Sequence, residues 1–271
     1  REIKFGLFLK KSLALGADYI ATGHYVRLRR TGRLSLFAAR DKNKDQSYFL
    51  WTLTQKELKH CLFPIGEYTK PQVRELAKKF GLPNAEKKDS QGICFLGKVT
   101  LADFLKKYIP ARRGAIITAD GRKIGSHQGA AYYTIGQRHG LGIGGGMPLY
   151  VAEKNVRSNT LTVAEGEDNS SLYCGAVDLL QVNFISDLTN KKRKSKIPVY
   201  ARVRYRQPLA QAVLIQKQKA KGKKQNYSLI FKQPQKFVAK GQSAVFYRRS
   251  PSASSGSKSK DFEMLGGGVI A

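Results

Sequence analysis

Acidic residues are scarce in this sequence. Among its 271 residues, 49 are Lys or Arg and only 19 are Asp or Glu, which gives a formal net charge of +30. An excess of positive charge on this scale attracts polyanions, and it therefore favours a nucleic-acid partner. The alternative interpretation is a solvated basic surface that has no specific partner.

Cysteine and long apolar runs are also scarce. The three cysteines, Cys61, Cys94 and Cys174, are widely spaced and form no CxxC pair, which argues against a zinc site and against a disulfide scaffold. Reduced thiols are typical of the cytoplasm, so we expect a cytoplasmic protein.

No stretch of about 18 apolar residues occurs, so no transmembrane helix and no membrane partner is predicted. Because the first residue is not methionine, we also expect the chain to begin partway through a larger protein.

The first third of the sequence has an α/β pattern. Four apolar residues recur at helical spacing near the start: Phe5, Phe8, Leu9 and Leu13. A short strand is predicted at 19–21, followed by helices at 46–53 and 70–80. Thr69 precedes the last of these, and Gln72 three residues later completes a capping box.

The rest of the sequence is dominated by turns and short strands. A short helix is predicted from Thr100 to about Tyr108, and turn signals at 119–122 and 157–160 predict two hairpins. After Cys174, β-rich runs at 176–181, 199–204, 212–216, 227–231 and 244–247 indicate a small barrel or sandwich.

Two polar stretches are candidates for ligand binding. Thr22, Gly23 and His24 follow the strand at 19–21, at the sheet edge where open α/β folds bind ligands. Residues 41–48 have two interpretations. They form either the solvated start of a helix or a polar rim that contacts phosphate or a base edge.

An arginine-rich run suggests an RNA contact. In residues 201–207 a strand would place Arg202, Arg204 and Arg206 on one face and Tyr205 on the other. Guanidinium groups beside an aromatic ring suit RNA. A solvated charged face is the alternative.

Cys94 lies in the stretch KDSQGICFLG, residues 88–97, between a polar turn and an apolar run. It is either a small core residue or a reactive thiol at the mouth of a loop. Lys87 and Lys88 are candidates for the positive charge that would lower the pKa of such a thiol.

Eight motifs occur in a fixed order along the chain: ATGHY, KDQSYFL, LFPIGEYTKPQVRELA, KDSQGICF, YYTIGQRHGLGIGG, ARVRYRQ, GQSAVFY and LGGGVI. Together they resemble the tRNA 2-thiouridylases of the MnmA/TrmU family, which thiolate the wobble uridine of tRNA. The resemblance implies an α/β fold class, a PP-loop adenine-nucleotide domain, followed by a small central domain and an all-β carboxyl-terminal barrel. We place these domains at 1–98, 99–169 and 170–271.

The resemblance also implies a reaction. Adenylation of the uracil C2 oxygen, using ATP with Mg²⁺, precedes sulfur transfer from a cysteine persulfide, and a second cysteine completes the transfer through a disulfide. Cys94 matches the persulfide cysteine and Gly23 the nucleotide-contacting glycine. The positions that match tRNA contacts are His24, Lys44, Asp45, Gln46, Arg204, Tyr205 and Gln242. Implied partners are tRNA and a sulfur-donor protein, either a cysteine desulfurase or a sulfur relay protein.

The sequence departs from the family pattern near its start. The ATP-binding SGGVDS motif and the second cysteine do not occur in it, so we expect the chain alone to be inactive in thiolation. The alternative function is a non-catalytic, basic tRNA-binding or RNA-binding protein, which predicts strongly salt-dependent binding.

Overall fold

A computed structural model describes residues 2–86, 101–144, 146–186, 196–217, 226–250 and 261–271. The chain divides into two compact units. The large unit comprises Arg1–Glu86, Gly175–Gln233 and Lys240–Ala271, and the small unit comprises Lys87–Cys174 and Pro234–Ala239. The domain boundaries inferred from the sequence stay a prediction.

The first part of the large unit is mixed α and β. A π-helical segment, Glu2–Phe8, runs into α1 (Leu9–Ala14). Then follow β1 (Ile20–Ala21), β2 (Val26–Thr31), β3 (Arg33–Ala38), α2 (Gln55–Leu58), β4 (Cys61–Leu62) and α3 (Lys70–Lys79). β1 and β4 pair in parallel, whereas β2 and β3 form an antiparallel hairpin.

The opening helix differs in detail from the predicted one. Phe5 and Leu9 are buried and Leu13 packs against the same core, as their spacing predicts. Phe8, however, is 56% exposed. The wider π-helical turn changes the angular spacing of side chains, so an α-helical pattern places Phe8 wrongly.

Local capping determines where α3 begins. The backbone N–H and the hydroxyl of Thr69 both donate to Gln72 Oε1, at 2.9 and 3.0 Å. This confirms the predicted capping box, and Pro71 occupies the first turn.

The predicted helix at 46–53 is wrong. Only a 3₁₀ turn, Ser47–Phe49, forms there. The Asp45 carboxylate accepts a hydrogen bond from the Ser47 N–H at 3.1 Å, and such a local side-chain bond competes with helix formation. The barrel described below then takes up the side chains of Tyr48 and Trp51 through hydrogen bonds.

The small unit contains α4 (Leu101–Lys106) and a four-stranded sheet. Its strands are β5 (Gly114–Thr118), β6 (Lys123–His127), β7 (Leu149–Asn155) and β8 (Thr160–Glu165), in the order β6-β5-β8-β7. Both predicted hairpin turns are confirmed. Gly121 and Asn159, at φ +86° and +52°, provide the left-handed residues of those turns. Thr100 lies outside the described residues, so the predicted cap of α4 stays a prediction.

The second part of the large unit is a closed β-sheet. It consists of β9 (Tyr173–Phe184), β10 (Lys196–Arg202), β11 (Ala210–Gln216), β12 (Tyr227–Lys236), β13 (Ser243–Arg249) and β14 (Phe262–Ile270). The order β13-β10-β11-β12-β9-β14 closes because β13 also pairs with β14. Five of these strands cover the predicted β-rich runs, whereas β14 and the hairpin β2–β3 were not predicted.

The first part of the large unit continues the barrel sheet. Glu263 and Met264 of β14 pair with Phe37 and Leu36 of β3. One hydrophobic core is shared by both parts; its fully buried members include Val26, Leu36, Leu53, Ile185, Val245 and Met264. The two parts are therefore expected to unfold together.

Gly267 in β14 makes room for Trp51. A Cβ built on Gly267 would lie 2.7 Å from Trp51 Cγ, which is closer than van der Waals contact allows. The side-chain amide of Asn183 in β9 donates to the carbonyls of Trp51 and Leu53, at 2.7 and 2.9 Å. The indole is thus packed directly on barrel backbone.

A buried ion pair fixes the loop 41–46 to β10. The Asp45 and Arg202 residues are each 5% exposed, and Arg202 Nη2 donates to Asp45 Oδ2. The same nitrogen donates to the Tyr247 hydroxyl at 3.0 Å, and the second Asp45 oxygen accepts from the Ala39 and Ser47 N–H groups, both at 3.1 Å. Burial opposes the charged guanidinium, but Tyr247 and Asp45 together hold the pKa of Arg202 above its usual value.

We predict that Gly267→Ala lowers the free energy of unfolding by about 1–3 kcal/mol, because the new methyl group collides with Trp51. Gly175→Ala is the matched control, since a Cβ at Gly175 meets no atom within 4 Å. Urea unfolding of both variants checks this. Equal losses would show that the indole moves aside at no cost.

We predict that Asp45→Asn lowers the free energy of unfolding by about 3–5 kcal/mol, because it leaves the Arg202 charge buried and unpaired. The double variant Asp45→Asn/Arg202→Met should recover part of this loss. As a control, Glu86→Gln breaks the exposed Lys78–Glu86 pair, and the unfolding midpoint should hardly move. Chemical denaturation monitored by tryptophan fluorescence measures all three, and a loss no larger than that of the control would contradict the prediction.

Candidate functional site

The loop after β1 has an accessible backbone at Gly23. The Thr22 N–H donates to the Leu62 carbonyl at 3.0 Å, which continues the β1–β4 pairing up to this loop. A Cβ built on Gly23 would meet only Ile65 Cδ1, at 4.0 Å. A ligand can therefore approach the backbone closely at this position.

His24 is held as a neutral imidazole. Its ring lies 5.7 Å from the Phe5 ring and 6.3 Å from the Phe63 ring, and Nδ1 lies 3.0 Å from Thr22 Oγ1. Burial, assisted by the charge of Lys4, lowers the pKa of His24 to about 4. At neutral pH the side chain therefore acts through hydrogen bonds, without a positive charge.

Gln46 joins this loop to the loop 41–46. The Tyr25 N–H donates to Gln46 Oε1 at 3.0 Å, and the Gln46 N–H donates to the Tyr25 carbonyl at 2.9 Å. The reciprocal pair places His24 and Gln46 on adjacent segments. Lys44, half-buried, follows a turn in which its N–H donates to the Asp41 carbonyl at 3.1 Å.

Asp45 has an internal role in this structure. Its carboxylate is buried and accepts hydrogen bonds from Arg202, Ala39 and Ser47, as described above. These bonds orient the neighbouring Lys44 and Gln46. A direct tRNA contact by Asp45 stays a prediction.

The predicted arginine face at 202–206 is wrong. β10 ends at Arg202, whose side chain points into the core, and Val203 is also buried. The segment then turns: Gln207 Oε1 accepts from the Val203 N–H at 3.0 Å, and the Gln207 N–H donates to the Arg204 carbonyl at 3.3 Å. Strand alternation does not apply to a turn, so Arg204 and Tyr205 are presented by a loop.

Three of the predicted contact positions, Gln46, Tyr205 and Gln242, lie in segments that meet near the start of β13. The Gln242 carbonyl accepts from the Ile270 N–H at 2.8 Å, which fixes the residue beside the barrel end. Its neighbour Ser243 accepts from the Tyr48 hydroxyl at 2.8 Å through its carbonyl and from Trp51 Nε1 at 3.0 Å through its hydroxyl. Segments around Gln46, Tyr205 and Gln242, far apart in sequence, therefore meet at Tyr48.

Phe49 belongs to this cluster although the sequence analysis did not single it out. Its ring centroid lies 4.6 Å from that of Tyr205. The sequence feature that could have indicated this role is the pair of aromatic residues, Tyr48 and Phe49, directly after Ser47. When a 3₁₀ turn buries Tyr48, it turns the adjacent Phe49 outward, where it is 52% exposed.

The cysteines differ in their surroundings. Cys61 is fully buried, its Sγ donates to the Glu57 carbonyl at 3.1 Å, and burial raises its pKa to about 11. Cys61 is therefore a packing residue. Cys174 is half-buried, and Cys94 lies outside the described residues.

Among the helices of the described segments, none has the length and apolar character needed to cross a membrane.

Comparison with known proteins identifies the family. Three family models match the chain: a tRNA methyl transferase HUP domain at residues 1–98, a tRNA methyl transferase PRC-barrel domain at 102–165, and an aminomethyltransferase beta-barrel domain at 177–270. These descriptions agree with the predicted order of an α/β domain, a small central domain and a barrel.

Curated relatives match along the whole chain. A tRNA-specific 2-thiouridylase MnmA from Pseudomonas entomophila is 45% identical over 279 residues, covering 100% of this chain and 68% of the relative. Proteins of the same name from Geobacillus thermodenitrificans and Streptococcus thermophilus are 44% and 40% identical, again over 100% of this chain and 68% and 69% of the relatives. The resemblance carried by the eight motifs is thereby confirmed, and the chain belongs to the MnmA family of tRNA-specific 2-thiouridylases.

Proposed function

We propose that this chain acts in the 2-thiolation of the wobble uridine of tRNA. The observation that carries the proposal is the convergence of Gln46, Tyr205 and Gln242, all positions inferred to contact tRNA, around one point of the large unit. Relatives bearing the name tRNA-specific 2-thiouridylase and the net charge of +30 support it. A polyanionic substrate suits a protein of this charge.

The loop at Gly23 fits a nucleotide. Its backbone is open to close approach, and the Thr22 hydroxyl lies beside it on the carboxyl side of β1. ATP, with Mg²⁺, would supply the activation of the uracil C2 oxygen by adenylation. The chain itself would bind the nucleotide at this loop and hold the uracil next to that nucleotide.

Cys94 is proposed as the sulfur carrier. A donor protein, a cysteine desulfurase or a sulfur relay protein, loads it as a persulfide. The terminal sulfur then bonds to C2 while the bond from C2 to the adenylated oxygen breaks and AMP leaves. A second cysteine thiol attacks the Cys94 sulfur, the original S–S bond breaks, and the two cysteines are left as a disulfide while the sulfur stays on C2.

His24 is proposed to contact tRNA as a neutral group. Because its pKa is about 4, it is uncharged throughout the physiological range. It can then hydrogen-bond to a base edge or a ribose hydroxyl and leave the phosphate contacts to lysine and arginine side chains.

We predict that the protonation of His24 makes the large unit less stable in acid. The unfolded histidine takes up a proton below about pH 6.5, whereas the folded one does so only near pH 4. Stability is therefore complete above pH 6.5 and falls as the pH falls towards 4. After allowance for partial solvent exposure, the loss between pH 7 and 4.5 is about 1–2 kcal/mol.

Urea unfolding of the wild type and of His24→Gln at both pH values tests this. The variant should lose less stability on acidification than the wild type does. Identical pH slopes would show that His24 does not titrate in this range.

We predict that Cys94→Ser abolishes thiolation and leaves tRNA binding unchanged, because serine cannot carry a persulfide. A mercury-gel shift of tRNA, run with ATP and a sulfur donor, measures thiolation. It is run on this chain and on a chain extended upstream to the full length of its relatives. Cys61→Ser is the matched control: its buried thiol should be dispensable for the reaction, although it contributes to stability.

Retained thiolation in Cys94→Ser would overturn the sulfur-carrier role. Absence of thiolation in every chain, together with salt-dependent tRNA binding, would favour the alternative of a non-catalytic RNA-binding protein.

A further inference from the structure

Three side chains of the large unit form a partly exposed aromatic surface, which we call the stacking platform: Phe49, Tyr205 and Arg206. The rings of Phe49 and Tyr205 lie 4.6 Å apart at an interplanar angle of 46°. The Arg206 guanidinium carbon lies 5.4 Å from the centroid of the Tyr205 ring. Phe49 is 52% exposed, Tyr205 is partly exposed and Arg206 is exposed.

The platform has a rigid support beneath it. The buried ring of Tyr48 lies 5.4 Å from Phe49 and 6.3 Å from Tyr205, so it backs both rings. Its hydroxyl donates to the Ser243 carbonyl of β13 at 2.8 Å. The platform is thus anchored to the barrel.

The backbone at Arg206 is strained. Arg206 has φ +65°, a left-handed conformation that a side chain other than glycine adopts at a cost. The bonds between Gln207 and the segment Val203–Arg204 hold this turn closed. The turn thereby keeps the Arg206 guanidinium beside the Tyr205 ring.

We propose that the stacking platform binds an unpaired nucleobase of RNA, with Phe49 and Tyr205 facing the base and Arg206 adding a cation to the stack. Aromatic rings and guanidinium planes are the groups on which splayed-out bases stack. Paired bases have their faces covered by their neighbours, so the platform would select a loop over a duplex. This inference rests on the proposed tRNA function and specifies which part of the RNA the large unit holds.

A protein partner is the less suitable occupant. Apolar peptide surfaces favour rings that lie among apolar side chains, whereas this platform combines two rings with a cation in a chain of net charge +30. The chemistry instead matches a π-face attached to a phosphate backbone.

The test uses an RNA stem-loop that carries 2-aminopurine, a base whose fluorescence is quenched by stacking, at one unpaired loop position in turn. A fully paired duplex of the same length is the second probe. Phe49→Leu should weaken stem-loop binding by about five- to tenfold and reduce the quenching, and leave duplex binding unchanged.

Three further variants separate stacking at the platform from folding, from surface charge and from other exposed rings. Arg206→Gly relieves the left-handed strain, so it should be at least as stable as the wild type and yet bind the loop more weakly. Arg249→Gln removes an exposed arginine of β13 instead, and should not change the quenching. Tyr19→Leu removes another exposed ring that lies beneath an arginine, and should have no effect on the loop.

The outcomes distinguish the two proposals. Quenching and affinity unchanged in both Phe49→Leu and Arg206→Gly would overturn the platform and leave the proposed thiolation intact. Wild-type protein that binds neither the stem-loop nor tRNA would overturn the proposed function itself. Equal weakening of loop and duplex by Phe49→Leu would also contradict the platform, because a contact that stacks on an unpaired base should affect the binding of the loop alone.

Discussion

The ion pair between Asp45 and Arg202 is the contact on which the arrangement of the large unit depends. It joins a loop near the start of the chain to a barrel strand more than 150 residues later, with both side chains out of water. Charges buried in this way are tolerated only when each is paired and hydrogen-bonded. Asp45 meets that condition through two backbone N–H groups, and Arg202 through Tyr247, whose own pKa burial raises to about 12.

Because this pair fixes the loop, the neighbouring side chains acquire defined positions. Lys44 and Gln46 flank the buried carboxylate, and Tyr48 reaches Ser243 on β13. The candidate tRNA contacts therefore do not come from one element. They come from a loop of the α/β part, a turn after β10 and the start of β13, held together by one shared core. A surface assembled in this way exists only when both parts of the large unit are folded.

Sequence patterns predicted the elements whose causes are local. The capping box of α3, the two hairpin turns of the small unit and most barrel strands follow from neighbouring residues. The failures at 46–53 and at Arg202 involve contacts with residues distant in sequence. Residues 46–53 carry helical spacing, but Asp45 and the barrel bind their backbone and side chains. Arg202 looks like a surface residue, and only the distant Asp45 explains its burial. β14 was missed because its glycines, of which Gly267 accommodates Trp51, are poor strand formers when judged locally.

The scarcity of acidic residues acquires a physical meaning in the structure. Several of the few carboxylates lie where the sheet elements join. Asp261, beside β14, binds Arg27 and Arg29 of β2 at 2.8 and 2.7 Å, and Glu263 accepts from Ser35, Ser186 and Arg248. Burial alone would raise the pKa of Glu263, but the bonds from Arg248 and Ser186 hold it below its usual value. Carboxylates used in this way neutralise structural arginines inside the large unit. The remaining positive charges lie on the surface, where they can attract a polyanion without weakening the contacts between the sheet elements.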